Sequence, residues 1–250
     1  MKPLALQLYS LRQQAKEDLL GTLTHVAQMG YKGVELAGLY NHSADEVARM
    51  FKDLGLDPAG AHVPLPTEEN INELVDTYKT LNVKFLGSGA GADRFDSPDS
   101  IKQVAEQFQA AAELLKAHDM QLVYHNHWWE METFDGTIGL DLLYQEAPDL
   151  AAEIDTYWAS NFGQVDVPDF VARHADRTPL LHIKDGPLKK DQAHVAVGSG
   201  MMDVASVIQA ADEQTLGWLI VELDRCDTDM VQAVADSAKY LIDNRLAQPR

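Results

Sequence analysis

"VKFLGSGAGADRFDSPDSIKQVAEQFQAAAELLKAHDMQLVYHNH" spans residues 83–127, and its reading decides between two folds. An apolar run ends in a glycine-rich turn. A long stretch with apolar residues at i, i+3 and i+4 follows, and a second apolar run closes a strand–helix–strand unit. In an open doubly wound sheet such a turn cradles phosphate and follows the first strand. Here "GSGAGAD" (87–93) contains no basic residue and follows the fourth strand. It reads as a tight turn between strand and helix.

The same unit recurs in both directions. Strand-type runs fall at 4–9, 33–38, 57–63, 83–89, 120–127, 151–155, 179–185 and 218–224. Helical periods lie between them at 18–30, 43–55, 68–82, 100–119, 139–148, 167–175, 204–214 and 230–246. Several open on Ser, Thr or Asp caps, and the first two close on Gly30 and Gly55. Eight such units in 250 residues predict an α/β fold, a (β/α)8 TIM barrel. No Pro- or Ser-rich linker divides the chain, so residues 1–250 are expected to form a single domain.

Composition narrows the setting. Hydrophobic residues make up 46% and charged ones 24%, which is a globular balance. The formal net charge of −19 disfavours nucleic acid and other phosphate-rich partners. The N-terminal "MKPLALQLYSLRQQ" has too short an apolar run for a signal peptide, and no stretch approaches a membrane span. Cys226 is the sole cysteine, which excludes an internal disulfide. A cytoplasmic protein without membrane or nucleic-acid partners is expected. Its oligomeric state is left open, a homo-oligomer included.

In such a barrel the chemistry gathers at the C-terminal strand ends. Strand five ends in "YHNHWWE" (124–130), with His125, His127 and, just beyond, Glu130. Strand six ends in Asp155, strand seven carries His182 and Lys184, and strand eight carries Glu222 and Asp224. Residues two apart share a face, so these imidazoles and carboxylates crowd one mouth. Burying them together is costly unless they are paired or bound to a cation. Gln7, Glu35 and His62 stand at comparable positions on earlier strands and are expected to wall the same cup. Carboxylates with imidazoles form an oxygen-rich site suited to Mn²⁺ first, with Co²⁺, Mg²⁺ or Zn²⁺ as alternatives.

"HNHWWE" (125–130), "EIDTYWAS" (153–160), "LHIKDG" (181–186), "VGSGMMD" (197–203) and "WLIVELD" (218–224) form an ordered set. By that set the chain resembles the xylose isomerase-like TIM barrels, the sugar phosphate isomerase/epimerase superfamily, with its branches acting on inososes and 3-keto sugars. The resemblance implies a divalent metal held by Glu130, Asp155, His182 and Glu222. Many relatives carry the first glutamate within strand five, where this chain has Tyr124 or His125. The alternative therefore gives the metal to His125 or His127 and turns Glu130 to the substrate. Lys184 and Trp158 fall at positions resembling the substrate pocket. Endonuclease IV-like relatives need more ligands and a surface tolerant of DNA, which the acidic charge argues against.

A divalent ion on a keto or hydroxy sugar acidifies the C–H beside the carbonyl. Epimerisation, isomerisation and elimination all follow from that step. His127 is the expected general acid/base. His125 or Asn126 would orient the substrate or polarise a leaving oxygen. Lys184 would bind a substrate oxygen or pair with Glu222 or Asp185. No Arg/Lys cluster suited to a phosphate appears at the strand ends, so an unphosphorylated sugar, inosose or keto-sugar is expected. A lyase or dehydratase on a 3-keto-glycoside or inosose is the alternative. A metal-containing carbohydrate-binding protein without turnover is the reading from another class.

Overall fold

The computed structural model describes residues 1–248 and 250. Eight parallel strands form the barrel: β1 (Lys2–Gln7), β2 (Gly33–Leu36), β3 (Asp57–His62), β4 (Phe85–Ser88), β5 (Gln121–His125), β6 (Ala151–Asp155), β7 (Leu180–Ile183) and β8 (Trp218–Val221). Each pairs with the next, and Leu4 of β1 pairs with Leu219 of β8, which closes the ring. Closure leaves these strands no free edge between neighbours. Ala247–Gln248 adds a short parallel strand beside the start of β1.

Eight helices follow the strands: α1 (Leu19–Gln28), α2 (Ala44–Leu54), α3 (Ile71–Thr80), α4 (Pro98–Lys116), α5 (Gly139–Glu146), α6 (Val167–Arg173), α7 (Val204–Gln209) and α8 (Met230–Asp243). The cap signals work as read. Ser43 and Glu46 form a capping box at the start of α2, and Gly55 ends that helix at φ +60°. Shorter pieces have no periodic signal in the sequence: a helix at Arg12–Glu17, another at Thr156–Ala159, and a small hairpin pairing Thr133–Phe134 with Thr137–Ile138. Among the described residues no helix is long and apolar enough to cross a membrane.

Strand parity carries the fold into the site. Ala5, Ala59, Val123, Ala151, Leu180 and Ile220 pack together as a small apolar cluster inside the ring. Two residues further along, the same face turns polar: Gln7 after Ala5, His125 after Val123, Glu153 after Ala151, His182 after Leu180, and Glu222 after Ile220. All five are buried. At β2 the register with β3 shifts between Val34 and Glu35, so Glu35 lies opposite Gly60. A Cβ at Gly60 would stand 2.7 Å from Glu35 Oε1, which makes glycine the residue that leaves this carboxylate its room.

Candidate active site

The polar layer opens into a cavity of about 630 Å³ lined by His62, Gly87–Gly91, His125, His127, Trp128, Trp129, Trp158, Glu222 and Asp224, with Tyr9 and Val63 at its edge. Beneath it two sets of four donors converge, each set with its ligand atoms within 4.8 Å of one another: His125, Asp155, His182 and Glu222, and His62, His125, Glu153 and His182. They share His125 and His182, whose rings turn one nitrogen to each set. His182 Nδ1 lies 2.9 Å from Glu222 Oε2, while its Nε2 lies 3.4 Å from Glu153 Oε1 and 2.7 Å from Glu35 Oε2, a carboxylate outside both sets. His125 Nε2 lies 3.9 Å from Asp155 Oδ2, while its Nδ1 lies 3.1 Å from Glu153 Oε2.

The first set fits a divalent cation better. In the second, Glu153 Oε2 already meets the Nδ1 of His125 and the Nε2 of His62, the latter at 2.6 Å. Each set keeps one buried carboxylate oxygen without a directed hydrogen bond, Glu153 Oε1 in the second and Asp155 Oδ2 in the first. The Lys184 ammonium lies 2.7 Å from that oxygen, an ionic contact, and 2.8 Å from Glu222 Oε2. Asp155, Glu222 and Asp224 thus share one ammonium. Three carboxylates against one monocation leave the charge deficit that a divalent ion offsets. Two carboxylates and two imidazoles are a donor set for Mn²⁺, Co²⁺ or Zn²⁺.

Electrostatics support the division of labour. Burial and the neighbouring His182 and His62 hold the His125 imidazole well below its usual range, against a hydrogen bond to Glu153, so it keeps a lone pair to give. Burial opposes charge on Lys184, but Asp155, Asp224 and Glu222 outweigh it and push its pKa well up. Burial works against the Glu222 anion, and Lys184 and His182 overcome that, holding the carboxyl well below its usual range. Burial and the nearby Glu153 charge raise Glu35 to about 7. For His62, Glu153 and Glu35 outweigh burial and raise it to about 9.

The structure relocates several residues expected at the site. Glu130 stands apart from both donor sets. Its Oε2 accepts the backbone N–H of His127 at 2.8 Å, and its Oε1 accepts from the Tyr124 hydroxyl at 3.1 Å. The reason is local: beyond β5 the chain enters a tight turn at Trp129–Met131, which folds this carboxylate onto its own segment. Gln7, Glu35 and Asn126 are fully buried and do not line the cavity. Asn126 instead ties β5 to β6, accepting from the Asp155 N–H at 2.9 Å and donating to the Asp155 carbonyl at 3.2 Å. Lys184 is also buried and does not line the cavity; its ammonium meets Asp155, Glu222 and Asp224.

His62, His125, His127 and Trp158 do line the cavity. The Trp158 indole donates to Asp224 Oδ2 at 3.1 Å, and its backbone N–H donates to Asp155 Oδ1 at 2.9 Å. The His127 ring stacks on Trp129 at 4.2 Å and 9°. Its Nδ1 has no hydrogen-bond partner. Asp185 does not pair with Lys184. Its carboxylate accepts backbone N–H groups from Gly186, Gly198, Gly200 and Met202, which anchors the loop carrying both glycines. Glu153 is the residue that strand-end reading passed over. The signal was present, since it stands two before Asp155 and therefore on the same face.

The chain belongs to the xylose isomerase-like TIM barrels; the model of that family matches residues 23–244. Among solved structures it is similar to a sugar phosphate isomerase/epimerase from Parabacteroides distasonis, at 26% identity and TM-score 0.81, over 99% of this chain and 96% of that one. The probable 3-DHS dehydratase of Bacillus anthracis shares the fold at 16% identity and TM-score 0.74, over 98% of this chain and 100% of that one. The IOLI protein, crystallised with a zinc atom, shares it at 15% identity and TM-score 0.76, over 97% of each chain. No curated protein sequence matches this chain.

Proposed function

We propose that this protein is a divalent-metal-dependent sugar isomerase or epimerase that moves a proton next to a carbonyl on an unphosphorylated sugar, inosose or keto-sugar. The observation that carries the reading is the separation of two kinds of group at one cavity. His125, Asp155, His182 and Glu222 converge as donors, while His127 lines the cavity outside that set, with its Nδ1 buried on the Glu130 side. The likeness to an isomerase/epimerase, and the zinc in a protein of the same fold, support it.

Those four side chains would hold the cation. When bound, it supplies a Lewis acid that polarises a carbonyl or hydroxyl oxygen. Around it the chain's own residues do the rest. His127 takes a proton from the carbon beside the carbonyl and delivers it to the neighbouring carbon, which gives the isomer. A proton from water on the opposite face of the first carbon gives the epimer. Trp129 fixes the ring plane and Glu130 the backbone beneath it. Trp158, Trp128 and Tyr9 offer flat apolar walls for a sugar's C–H faces, while Asp224 accepts hydroxyl protons at the rim. Among the described residues lining the cavity there is no Arg or Lys, which favours an unphosphorylated substrate. The exposed Lys190 reaches the rim only above the Trp128 ring, at 3.7 Å.

Elimination is the second reading: a leaving oxygen β to the deprotonated carbon departs instead, and the shared fold with a probable dehydratase favours keeping it. The test is a screen of keto sugars and inososes in deuterated water with Mn²⁺ present. Deuterium at one carbon with epimer or isomer formed supports the proposal, and loss of water or aglycone supports elimination. Binding without any exchange would leave a carbohydrate-binding protein.

A further inference from the structure

We infer that Glu35 and Glu153 are positioning residues for the cation, holding His182 and His125 as the tautomers whose metal-facing nitrogens carry lone pairs. The inference rests on the reading that His125, Asp155, His182 and Glu222 bind a divalent ion. A neutral imidazole has one N–H and one lone pair, and a carboxylate only accepts. His182 is flanked by carboxylates on both sides, at 2.7 Å from Glu35 through Nε2 and 2.9 Å from Glu222 through Nδ1. With a cation on the Glu222 side, the proton belongs on Nε2, where Glu35 accepts it. His125 obeys the same logic, with Nδ1–H donated to Glu153 and Nε2 turned toward Asp155.

Both outer carboxylates are themselves fixed. Gln7 donates its amide to Glu35 Oε2 at 2.7 Å, while its own Oε1 accepts the Tyr9 backbone N–H at 3.1 Å. His62 donates to Glu153 Oε2 at 2.6 Å. A continuous chain therefore runs from the backbone at Tyr9 through Gln7 and Glu35 to His182. Both carboxylates are fully buried, and each keeps one oxygen without a hydrogen bond, so neither has a structural ladder as its purpose. Carboxylates behind imidazole ligands raise ligand basicity and fix ring orientation.

The test uses Co²⁺ alone as probe, titrated into the metal-free full-length wild type, Glu35→Gln and Glu153→Gln, with visible absorption and chelator competition as readouts. Each Gln variant keeps the volume and loses the charge. One equivalent should bind in all three, the variants ~10–100-fold more weakly and with displaced d–d bands, while far-UV dichroism stays unchanged. Unaltered affinity and spectrum in the folded variants would overturn the inference alone. Two equivalents in the wild type, falling to one in Glu153→Gln, would also overturn it, because Glu153, a donor of the second set, would then be a ligand. A wild type that binds no cobalt would overturn the metal reading itself and the inference with it. If Glu35→Gln does not fold, Gln7→Met, which removes the donor behind Glu35 together with the acceptor of the Tyr9 N–H, should weaken Co²⁺ binding in the same direction, and unchanged binding there would count against the inference.

Discussion

The Glu130 carboxylate accepts the backbone N–H of His127 at 2.8 Å and keeps its other oxygen 3.8 Å from the His127 Nδ1. On the proposed reading, this glutamate supports the histidine that moves the proton rather than the metal. Glu130→Ala should keep its full metal content. Its C–H exchange should fall by up to about 10²-fold, the loss that a ~1 Å misplacement brings. Metal analysis and exchange rates on one preparation check this, and loss of the metal would return Glu130 to the ligand set.

Glu222→Ala and Asp155→Ala should behave in the opposite way. Each removes a donor and one of the three carboxylates around the buried Lys184 ammonium. Bound metal should drop below stoichiometric and exchange should vanish. Without the stabilisation that a bound ion adds to the native state, both variants should also melt earlier than the metal-loaded wild type. Full occupancy in either variant would contradict the ligand set.

How far the sequence reached is visible at strands five and six. Apolar runs with alternating helices sufficed for the barrel, because closure demands the same buried strand at each step. Parity also placed His125, His182 and Glu222 toward the axis. It could not place Glu130, because period-two alternation ends with the strand, and the turn at Trp129–Met131 has its own geometry. Glu153 was legible by parity with Asp155 but sits mid-strand, where its charge is held because His62, His125 and His182 surround it. Such a cage is built from four strands and has no local signal. The two-residue strands at 133–134 and 137–138 are likewise too short for any period.

Asp185 makes a stability prediction separate from the metal. Its buried carboxylate takes four backbone N–H groups across the loop from Gly186 to Met202. Asp185→Ala leaves those donors unpaired, each at a cost of ~1–3 kcal/mol where water cannot enter. A loss of about 2–4 kcal/mol in urea unfolding is expected, since part of the loop can rehydrate. A change below about 0.5 kcal/mol, the range of ordinary surface substitutions, would mean that the loop is held by other contacts.

Asp141 supplies the pH dependence. Partial burial opposes its charge, but hydrogen bonds from His174 at 2.6 Å and Arg173 at 2.9 Å outweigh that and lower its pKa below the ordinary 3.8. A carboxyl depressed in the folded state adds stability above its unfolded pKa and loses it as pH falls through the folded value. Asp141→Asn should therefore be less stable than the wild type at neutral pH, by about 1–2 kcal/mol. That gap should close as the pH drops below 3.8. A gap independent of pH would show that packing, not charge, is what Asp141 contributes.

Chelation tests the cation's place in the fold. A ligand bound only by the native state adds about 2.7 kcal/mol at a hundred times its Kd. Mn²⁺ or Co²⁺ at that excess should raise the melting temperature of the metal-free protein, and the increment should shrink in Glu222→Ala. A melting temperature indifferent to the metal, with binding confirmed, would place the ion outside the cup.

His127→Ala is the most direct test of the central claim that metal binding and proton transfer belong to different residues of one cavity. The variant should bind Mn²⁺ with wild-type stoichiometry and affinity. In deuterated water it should exchange the substrate C–H roughly 10²–10⁴-fold more slowly, the loss typical of a missing general acid/base. Loss of Mn²⁺ from that variant, or exchange at the wild-type rate with Mn²⁺ in place, would contradict the account.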